Sequence, residues 1–559
     1  MYWTANKIVL LWVACMLGSY CTVTYAQTAT FTAEDTLRGS LNANRTWWDV
    51  RHYGLTVTPN FAEKKLTGSN TILFKRLLST NAPMQIDLQA PMQIDRIAYH
   101  GTQPTFQKAS TNTWLVHLTQ QAPTIDSLTI FFSGIPREAV RPPWDGGWIW
   151  LKDSKGSPWM SAAVQGLGAS SWYPCKDHQS DEPDNGAILS IVVPDSLVGV
   201  GNGQLTGIST LGNQKIYHWR VVNPINNYTI IPSIGKYVHF SDIFKGEKGK
   251  LSLDFWVLEQ AKEKAQKQFQ QAKLMLKAFE YWFGQYPFYK DGYKLVQTPF
   301  LGMEHQSAIA YGNGFKNGYL GRDLSGTGWG LKWDFIIIHE SGHEWFANNI
   351  TTKDIADMWV HEGFTNYGET LFTEYYYGKK AGNDYCYGIR KNIKNDHPII
   401  GAYGVNNEGS GDMYSKAANM IHTIRNSIKD DAVFRKMLRQ MNQQFYHQTV
   451  TTQQIESFIA PYCPFNTIPF FNQYLRTTQI PICEYVLDTI QNTLQVRFTN
   501  CLEHFELPIY LAGTHRKIMV GTEWQKIALK AKETTWWLTD EKEKNYYIQF
   551  VATDNALAQ

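Results

Sequence analysis

The sequence predicts a multidomain α+β protein. An early region alternates apolar and polar residues at the two-residue period of β-strands. A middle region spaces its apolar residues at helical intervals, and the alternation returns near the end of the chain. The chain has 559 residues, of which 43% are hydrophobic and 14% aromatic. This length and composition suffice for several packed cores and are not those of a disordered chain.

The first 26 residues have the features of a secretory signal peptide. Lys7 is their only charge, and the apolar run that follows, residues 8–17, is too short to cross a bilayer. Small residues at positions 24 and 26 predict cleavage after Ala26. We therefore expect a secreted or periplasmic protein, with an uncleaved anchor as the alternative.

Residues 27–246 are predicted to form an N-terminal antiparallel β domain. The polar stretch up to residue 46 is expected to be a loose lead-in. Alternating runs then follow one another with turn residues between them, as in residues 66–74, 127–132 and 188–193. Short strands separated by turns are typical of antiparallel sheets.

Residues 247–475 are predicted to form a helix-rich domain. In residues 259–283 apolar side chains recur at intervals of three and four, which predicts one long helix. A strand-like run at residues 293–298 and helical patterns at 413–428 and 432–445 make the region mixed.

Residues 476–559 are predicted to form a small C-terminal β-sandwich-like domain. The two-residue alternation returns at residues 494–498, 507–511 and 546–551. Short alternating segments of this kind are typical of half-buried strands.

Five cysteines follow the predicted cleavage site. An odd number leaves at least one thiol unpaired within the chain. Cys483 and Cys501 flank a predicted hairpin and are the best candidates for a disulfide, which the expected compartment permits. Five unpaired buried thiols are the alternative.

Charge and hydropathy exclude some partners. The formal net charge is +3 and no stretch is strongly basic, which argues against nucleic acid as a partner. No segment after the signal peptide has 18 uninterrupted apolar residues, so no membrane span is expected in the mature chain. The oligomeric state is left open.

The stretch His339-Glu340-Ser341-Gly342-His343 is the strongest signal of a functional site. If it is helical, the two histidines lie one turn apart on one face and can bind the same metal ion. Glu362 follows after eighteen residues and supplies a third ligand. Two imidazoles and one carboxylate suit one Zn²⁺ per chain, with a fourth position left for water. Residues 335–338 are all apolar and are expected to bury the helix.

Several segments together resemble the M1 (gluzincin) family of zinc aminopeptidases. The metal motif has that family's spacing, and the similarity extends over about residues 47–550. It implies a thermolysin-like catalytic domain, in a short form of the family without the C-terminal helical domain. The other matching segments are Tyr173-Pro174-Cys175 with Asp181-Glu182-Pro183, Leu301-Gly302-Met303-Glu304-His305, Asp357 to Phe364, and Tyr414-Ser415-Lys416-Ala417.

The resemblance also implies catalytic and binding roles. Glu340 would be the general base and Tyr414 the donor to the oxyanion. Glu304 would bind the substrate's α-amine. The further residues that the resemblance assigns to substrate binding are Gln165, Gly302 and Met303.

Two more carboxylates, Asp357 and Glu369, are candidates for orienting the metal ligands. The sequence departs from the family's pattern at Leu301, His305 and Ala417, and a few extra residues at 176–180 separate Cys175 from Asp181. The first two departures concern the shape of the substrate groove.

The predicted function is therefore that of a zinc-dependent aminopeptidase, which removes residues one at a time from peptide N-termini. Three further functions are compatible with the sequence. A thermolysin-like zinc endopeptidase would share the metal motif but needs no amine anchor. An epoxide hydrolase resembling leukotriene hydrolase is the second, and a binding protein without catalysis is the third. The preferred P1 side chain and the natural peptide are left open.

Overall fold

A computed structural model describes residues 30–118, 123–511 and 516–554. The predicted signal peptide, residues 1–26, lies outside these ranges. In the described chain, no helix is both long and apolar enough for a bilayer crossing. The predicted multidomain α+β class is confirmed, because β-sheets at both ends flank a helix-rich middle.

The N-terminal third consists mainly of β-strands. Helix α1 precedes them at Ala33–Gly39. The strands are β1 (Trp48–Asn60), β2 (Lys65–Arg76), β3 (Met84–Asp87), β4 (Gln93–Ala98), β5 (Thr105–Lys108), β6 (Thr113–His117), β7 (Ile125–Gly134), β8 (Gly147–Lys152), β9 (Pro158–Ala163), β10 (Ala187–Pro194), β11 (Val198–Val200), β12 (Gln204–Leu211), β13 (Gln214–Val221) and β14 (Ser233–Gly235).

The largest sheet has seven strands in the order β12-β13-β10-β1-β2-β7-β4. Its pairs are antiparallel except β1 with β10, which run parallel. Burial alternates along β1, so one face packs on the core as the two-residue pattern predicts. Smaller sheets, β11-β14-β9-β8 and β3-β6-β5, complete this part of the molecule.

The prediction of a loose lead-in before residue 47 is wrong. Residues 33–39 form α1, and Thr32 and Asp35 make a capping box at its start. Arg45 is fully buried, donates to backbone carbonyls at the end of α1, and pairs with the buried carboxylate of Asp87. Polar composition alone did not reveal this ion pair, because its partner is 42 residues away.

The helix-rich part follows, with a five-stranded sheet of order β15-β16-β17-β19-β18. Strand β15 lies before the predicted boundary at residue 246, yet pairs along its length with β16. The elements are β15 (Tyr237–Gly246), β16 (Gly249–Leu258), α2 (Lys262–Gln268), α3 (Gln271–Phe283), β17 (Tyr293–Gln297), β18 (Gly302–Met303), β19 (Ile309–Tyr311), α4 (Phe335–Gly342), β20 (Ile350–Thr352), α5 (Trp359–Tyr377), α6 (Lys379–Gly388), α7 (Ser415–Ile428), α8 (Asp431–Gln444), β21 (Gln448–Val450), α9 (Thr452–Ile459) and α10 (Thr467–Arg476).

The single long helix predicted over residues 259–283 is instead two helices, α2 and α3, separated by a turn. Phe269 in this turn is buried, and its ring packs edge-on against Tyr311 at 4.9 Å. The break lets Gln268 and Gln271 hold Asp334, which caps α4: Gln268 donates to its carboxylate and Gln271 accepts from its N–H, both at 2.8 Å. A tertiary contact therefore overrides the helical periodicity.

A small β unit closes the described chain. Its main sheet has the order β26-β23-β22-β27, and β24 pairs with β25. Its core is continuous with that of the helix-rich part: the rings of Phe470 on α10 and Phe505 stack at 6.4 Å. The elements are β22 (Ile482–Asp488), β23 (Thr493–Thr499), β24 (Leu507–Tyr510), β25 (Lys517–Val520), β26 (Gln525–Ala528), α11 (Ala531–Trp537), α12 (Glu541–Asn545) and β27 (Gln549–Ala552).

The predicted Cys483–Cys501 disulfide is wrong, because all five cysteines of the described chain are free. Cys483 faces Phe498 in the register of β22 with β23, whereas Cys501 lies beyond the end of β23. The two cysteines are therefore not cross-strand neighbours. The alternative of unpaired thiols holds, with three buried and two partly exposed.

Candidate active site

Helix α4 carries the two histidines of the predicted metal site. Asp334 caps it by accepting from the N–H groups of Ile336 and Ile337. The apolar run 335–338 is buried, as predicted. His339 lies inside the helix, and His343 is the residue at which the helix ends. The cap at Asp334 therefore fixes one end of the helix, and the two histidines lie toward its other end.

Helix α5 supplies the carboxylate. Glu362 lies in its first turn and is buried. Its Oε2 is 3.5 Å from Nε2 of His339 and 3.4 Å from Nε2 of His343. The structure thus brings together all three residues predicted as metal ligands, with their donor atoms within 4.8 Å of one another.

The far nitrogens of both imidazoles are occupied. Nδ1 of His339 bonds Oε1 of Glu369 at 2.7 Å, and Nδ1 of His343 bonds the carbonyl of Phe346 at 3.0 Å. If Nδ1 is the protonated nitrogen in each ring, the Nε2 lone pairs point at Glu362. Tyr385 in turn donates to Oε2 of Glu369 at 2.6 Å. Histidines that bind a metal commonly use their other ring nitrogen to hydrogen-bond a carboxylate or a backbone carbonyl in this way.

The donor set fits a metal ion. Oε2 of Glu362 is buried and has no hydrogen-bond partner in the described chain, although it lies between two imidazole nitrogens. Burial would raise the pKa of Glu362, but when the imidazoles of His343 and His339 are protonated, their charge outweighs it and holds that pKa well below its usual range. A carboxylate kept ionised beside two imidazoles is a ligand set suited to zinc.

Glu340 extends from α4 toward the edge strand β18. A Cβ built on Gly302 would lie 2.9 Å from Oε1 of Glu340, so a larger residue here would require the end of this side chain to shift. Burial raises the pKa of Glu340 to about 7; the nearby histidines oppose this shift, whereas Glu304 and Glu362 add to it. Glu340 is thus placed to accept and release a proton near neutral pH.

Strand β18, which contains Gly302 and Met303, is the edge of its sheet and pairs only with β19 in the described structure. Met303 is buried in a small cluster with Phe300 of the same segment and Ile149 of β8. The N-terminal β unit therefore supports this edge from behind. Leu301 lines the cleft, whereas His305 is buried beside Phe300.

Glu304 follows β18 and is held by two donors from the N-terminal β unit. Nε2 of Gln165 donates to its Oε1 at 2.6 Å, and the hydroxyl of Tyr228 donates to the same oxygen at 2.9 Å. Both bonds use Oε1, which leaves Oε2 for a ligand. The sequence analysis missed Tyr228, because this residue is 76 positions from Glu304 and belongs to none of the recognised segments.

Tyr414 stands beside the metal-ligand cluster, just before α7. Its ring stacks on that of His339 at 6.0 Å and 25°. Loss of solvent raises its pKa well above the ordinary value, and the charges of Glu362, Glu408 and Glu304 raise it further. The hydroxyl therefore stays protonated and can act as a hydrogen-bond donor. Tyr414 lines the cleft, with part of its side chain exposed.

All nine predicted site residues line one cleft of about 560 Å³, a volume suited to part of a peptide. The cleft is also lined by residues that the sequence did not indicate, among them Trp144, Glu408 and Tyr385. Of the two weaker candidates, Glu369 bonds His339, but Asp357 does not touch a ligand. Asp357 instead accepts from Thr452 and Tyr403.

Comparison with known proteins agrees with this geometry. Residues 268–474 match the model of the peptidase family M1 domain. This segment is therefore a peptidase family M1 domain. The matched segment contains helices α4 and α5, and with them the complete His339, His343 and Glu362 cluster.

The relatives of this chain are distant in sequence. Leukotriene A-4 hydrolase from Xenopus laevis is 22% identical over 447 residues, which cover 74% of this chain and 68% of the frog protein. Probable aminopeptidase 2 from Sulfurisphaera tokodaii is 23% identical over 212 residues, or 37% of this chain and 26% of that protein. The chain thus matches only about a quarter of the archaeal relative.

Solved structures share the fold of this chain. A variant of the M1 zinc metallopeptidase from Deinococcus radiodurans, bound to a Tyr-Ser-Ala substrate, superposes with a TM-score of 0.63 at 18% identity. The superposition covers 77% of this chain and 95% of the bacterial one. The fold of a zinc metallopeptidase is therefore shared over most of the molecule.

Proposed function

We propose that the protein is a zinc-dependent aminopeptidase that hydrolyses the N-terminal bond of peptides. The observation that carries this proposal is the position of Glu304. This buried carboxylate lies in the same cleft as the His339, His343 and Glu362 cluster and is held by Gln165. A carboxylate fixed at one distance from the reaction centre can select for a substrate's terminal amine.

Glu304 and Gln165 form the proposed amine anchor. A protonated α-amine carries three donors and a full charge, so it needs acceptors at fixed positions. Oε2 of Glu304 and the carbonyl oxygen of Gln165 can supply them, because Gln165 uses its NH₂ group to hold Glu304. Tyr228 fixes the carboxylate from a second direction. A charge-assisted bond in this buried place is stronger than the same bond in water.

His339, His343 and Glu362 would hold the zinc ion. When bound there, zinc would lower the pKa of a water molecule and polarise the scissile carbonyl. Glu369 supports this role because it fixes the ring of His339 through Nδ1.

Glu340 is the proposed general base. Its carboxylate would take the proton of the attacking water and pass it to the leaving amine. A pKa of about 7 suits a group that must both accept and donate a proton at neutral pH. Its position supports this role, because Glu340 lines the same cleft as the three proposed metal ligands.

Tyr414 is the proposed donor to the oxyanion that forms as the carbonyl is attacked. Its hydroxyl stays protonated, its side chain lines the cleft and its ring stacks on His339. Preorganised donors of this kind stabilise the transition state more than the ground state.

The edge strand β18 is the proposed binding surface for the substrate's backbone. An extended peptide can add to a free sheet edge through main-chain hydrogen bonds. Gly302 and Met303 provide that edge directly before Glu304. Backbone pairing there would lead the amino terminus of the peptide to its anchor.

A panel of chromogenic aminoacyl substrates tests this function. We expect hydrolysis that stops when a chelator removes the metal and returns when Zn²⁺ is added. The panel also gives the preferred P1 side chain. A purified, folded, zinc-loaded protein that hydrolyses none of the panel would contradict the proposal.

The competing functions predict different outcomes. A thermolysin-like endopeptidase would ignore the amine, and a binding protein would hydrolyse nothing. Epoxide hydrolysis has some support from the relative named leukotriene A-4 hydrolase, at 22% identity. A direct assay on a lipid epoxide tests it separately from peptide hydrolysis.

We also propose that the protein is secreted or periplasmic after cleavage behind Ala26. The features of residues 1–26 support this: one lysine, a short apolar run and small residues before the cleavage site. N-terminal sequencing of the protein from its native host tests it, with Gln27 as the expected first residue.

A further inference from the structure

Helix α1 connects two walls of the catalytic cleft. One wall is the turn at Gln165 and Gly166, and the other is the loop of residues 401–409, which carries Glu408. The N–H of Asn406 in that loop donates to the carbonyl of Asp35 in α1 at 3.2 Å. At the other end of α1, a Cβ built on Gly39 would clash with the backbone of Val405. The helix and the loop are therefore in direct contact near both ends of the helix.

Two side chains converge on one carbonyl oxygen between these walls. Arg38 of α1 donates to the carbonyl of Gly166 at 3.1 Å, and Asn406 donates to the same oxygen through Nδ2 at 3.2 Å. Gly166 directly follows Gln165, whose side chain holds Glu304 at 2.6 Å. A carbonyl with two donors fixes the peptide plane between Gly166 and Leu167, one residue beyond Gln165, and so restricts the backbone turn that carries the Gln165 side chain.

The donor Arg38 is itself held in place. Arg45 donates to the carbonyls of Leu37 at 2.8 Å and Ser40 at 3.1 Å, on either side of Arg38. His178 bonds the carbonyl of Gly39 at 3.3 Å. His178 belongs to the extra residues 176–180 that separate this sequence from the family's pattern. Arg45 and His178 therefore hold α1 in place. Through Arg38, this N-terminal helix contacts a wall of the cleft.

We propose that Arg38 and Asn406 are positioning residues for the amine anchor. They act through the Gly166 carbonyl to hold Gln165 against Glu304, so that both acceptors meet the substrate's α-amine at a fixed distance from the metal cluster. Neither residue touches the reacting atoms. This inference rests on the proposed aminopeptidase function, because it assigns α1 a role in recognising the amine.

Two hydroxamates that differ only in the amine isolate this effect. Leucine hydroxamate has the α-amine, and 4-methylpentanoic hydroxamate lacks it. Calorimetric titration of the zinc-loaded protein gives a Kd for each, and their ratio measures recognition of the amine without any turnover. For the wild type we expect the amine to strengthen binding about 100-fold.

The double variant Arg38→Ala/Asn406→Ala should lower this ratio by about tenfold or more. The Kd of the amine-free hydroxamate should stay within about twofold of the wild type. Each single variant should lose less, because the other donor still holds the carbonyl. Arg38→Lys keeps a donor and should recover part of the ratio.

Thr36→Ala is the matched control. Thr36 lies on the same helix and bonds only the carbonyl of Thr32, at 3.3 Å, so its loss should leave the ratio unchanged. A double variant with the wild-type ratio would overturn the inference, as would an equal loss of affinity for both hydroxamates. A wild type without any preference for the amine would instead contradict the proposed function, which keeps the two failures distinct.

Discussion

Glu369 accepts a hydrogen bond from Nδ1 of His339 at 2.7 Å. The carboxylate is itself fixed by Tyr385 at 2.6 Å and by Asn366 at 3.0 Å. The imidazole of this proposed metal ligand is thus oriented by a buried network that reaches helix α6 through Tyr385. The network sets both the tautomer of His339 and the direction of its ring.

The first prediction follows from this pair. Glu369→Gln keeps the shape of the side chain but removes its charge, so zinc affinity should fall about 10- to 100-fold. Competition with a chromogenic chelator measures it. Tyr385→Phe is the matched control: it keeps the carboxylate, and the loss should be smaller. A folded Glu369→Gln protein with wild-type zinc affinity would show that the bond has no role in metal binding.

The second prediction concerns the proposed base. Glu340→Gln cannot accept a proton, and we expect kcat to fall at least ~10²-fold. Zinc content should remain about one per chain, because Glu340 is not a ligand. Steady-state kinetics with metal analysis checks both. Near-normal turnover would exclude Glu340 as the base.

The third prediction concerns the oxyanion. Tyr414→Phe removes one hydroxyl and keeps the ring that stacks on His339. We expect kcat to fall about 10²-fold or more with little change in KM, because this bond strengthens only in the transition state. If KM rises while kcat is kept, Tyr414 binds substrate and the donor lies elsewhere.

The fourth prediction concerns His178, which docks α1. Its Nδ1 accepts from the N–H of Ser180 at 3.2 Å, so the ring is neutral in the fold. Burial lowers its pKa to about 4, and the charge of Arg45 adds to this shift. The unfolded chain binds this proton near pH 6.5, so the stabilising effect is complete above pH 6.5 and is lost as the pH falls toward 4.

His178→Gln removes this titration while its amide can still donate to Gly39. The fall in Tm between pH 7 and pH 5 should therefore be smaller in the variant than in the wild type, whatever their difference at pH 7. Thermal denaturation at several pH values measures it. An equal or larger fall in the variant would contradict a neutral, buried His178.

The sequence predicted correctly those features whose residues lie close together in the chain. The positions of His339 and His343 along one helix turn, and the apolar run before them, predicted α4 because helical geometry alone relates these residues. The alternation in β1 and β2 predicted a half-buried sheet for the same reason.

The failures at Arg45, Phe269 and Tyr228 involve partners that are distant in the chain. Arg45 is buried because of Asp87, and α2 ends before Phe269 because of Tyr311 and the cap at Asp334. Tyr228 carries no local signal, although it holds Glu304. Local periodicity contains no information about such pairs, which only the folded chain brings together.

The comparison of one peptide with a free and with an acetylated amino terminus tests the central claim most directly. Mass spectrometry of the products over time shows where each form is cut. We predict that the free peptide loses residues one at a time from its amino end, while the acetylated peptide is cut at least ~10²-fold more slowly. In Glu304→Ala, kcat/KM on the free peptide should fall ~10²-fold or more with zinc content unchanged. Internal cleavage of the acetylated peptide at the same rate as the free one would contradict the amine anchor and favour an endopeptidase.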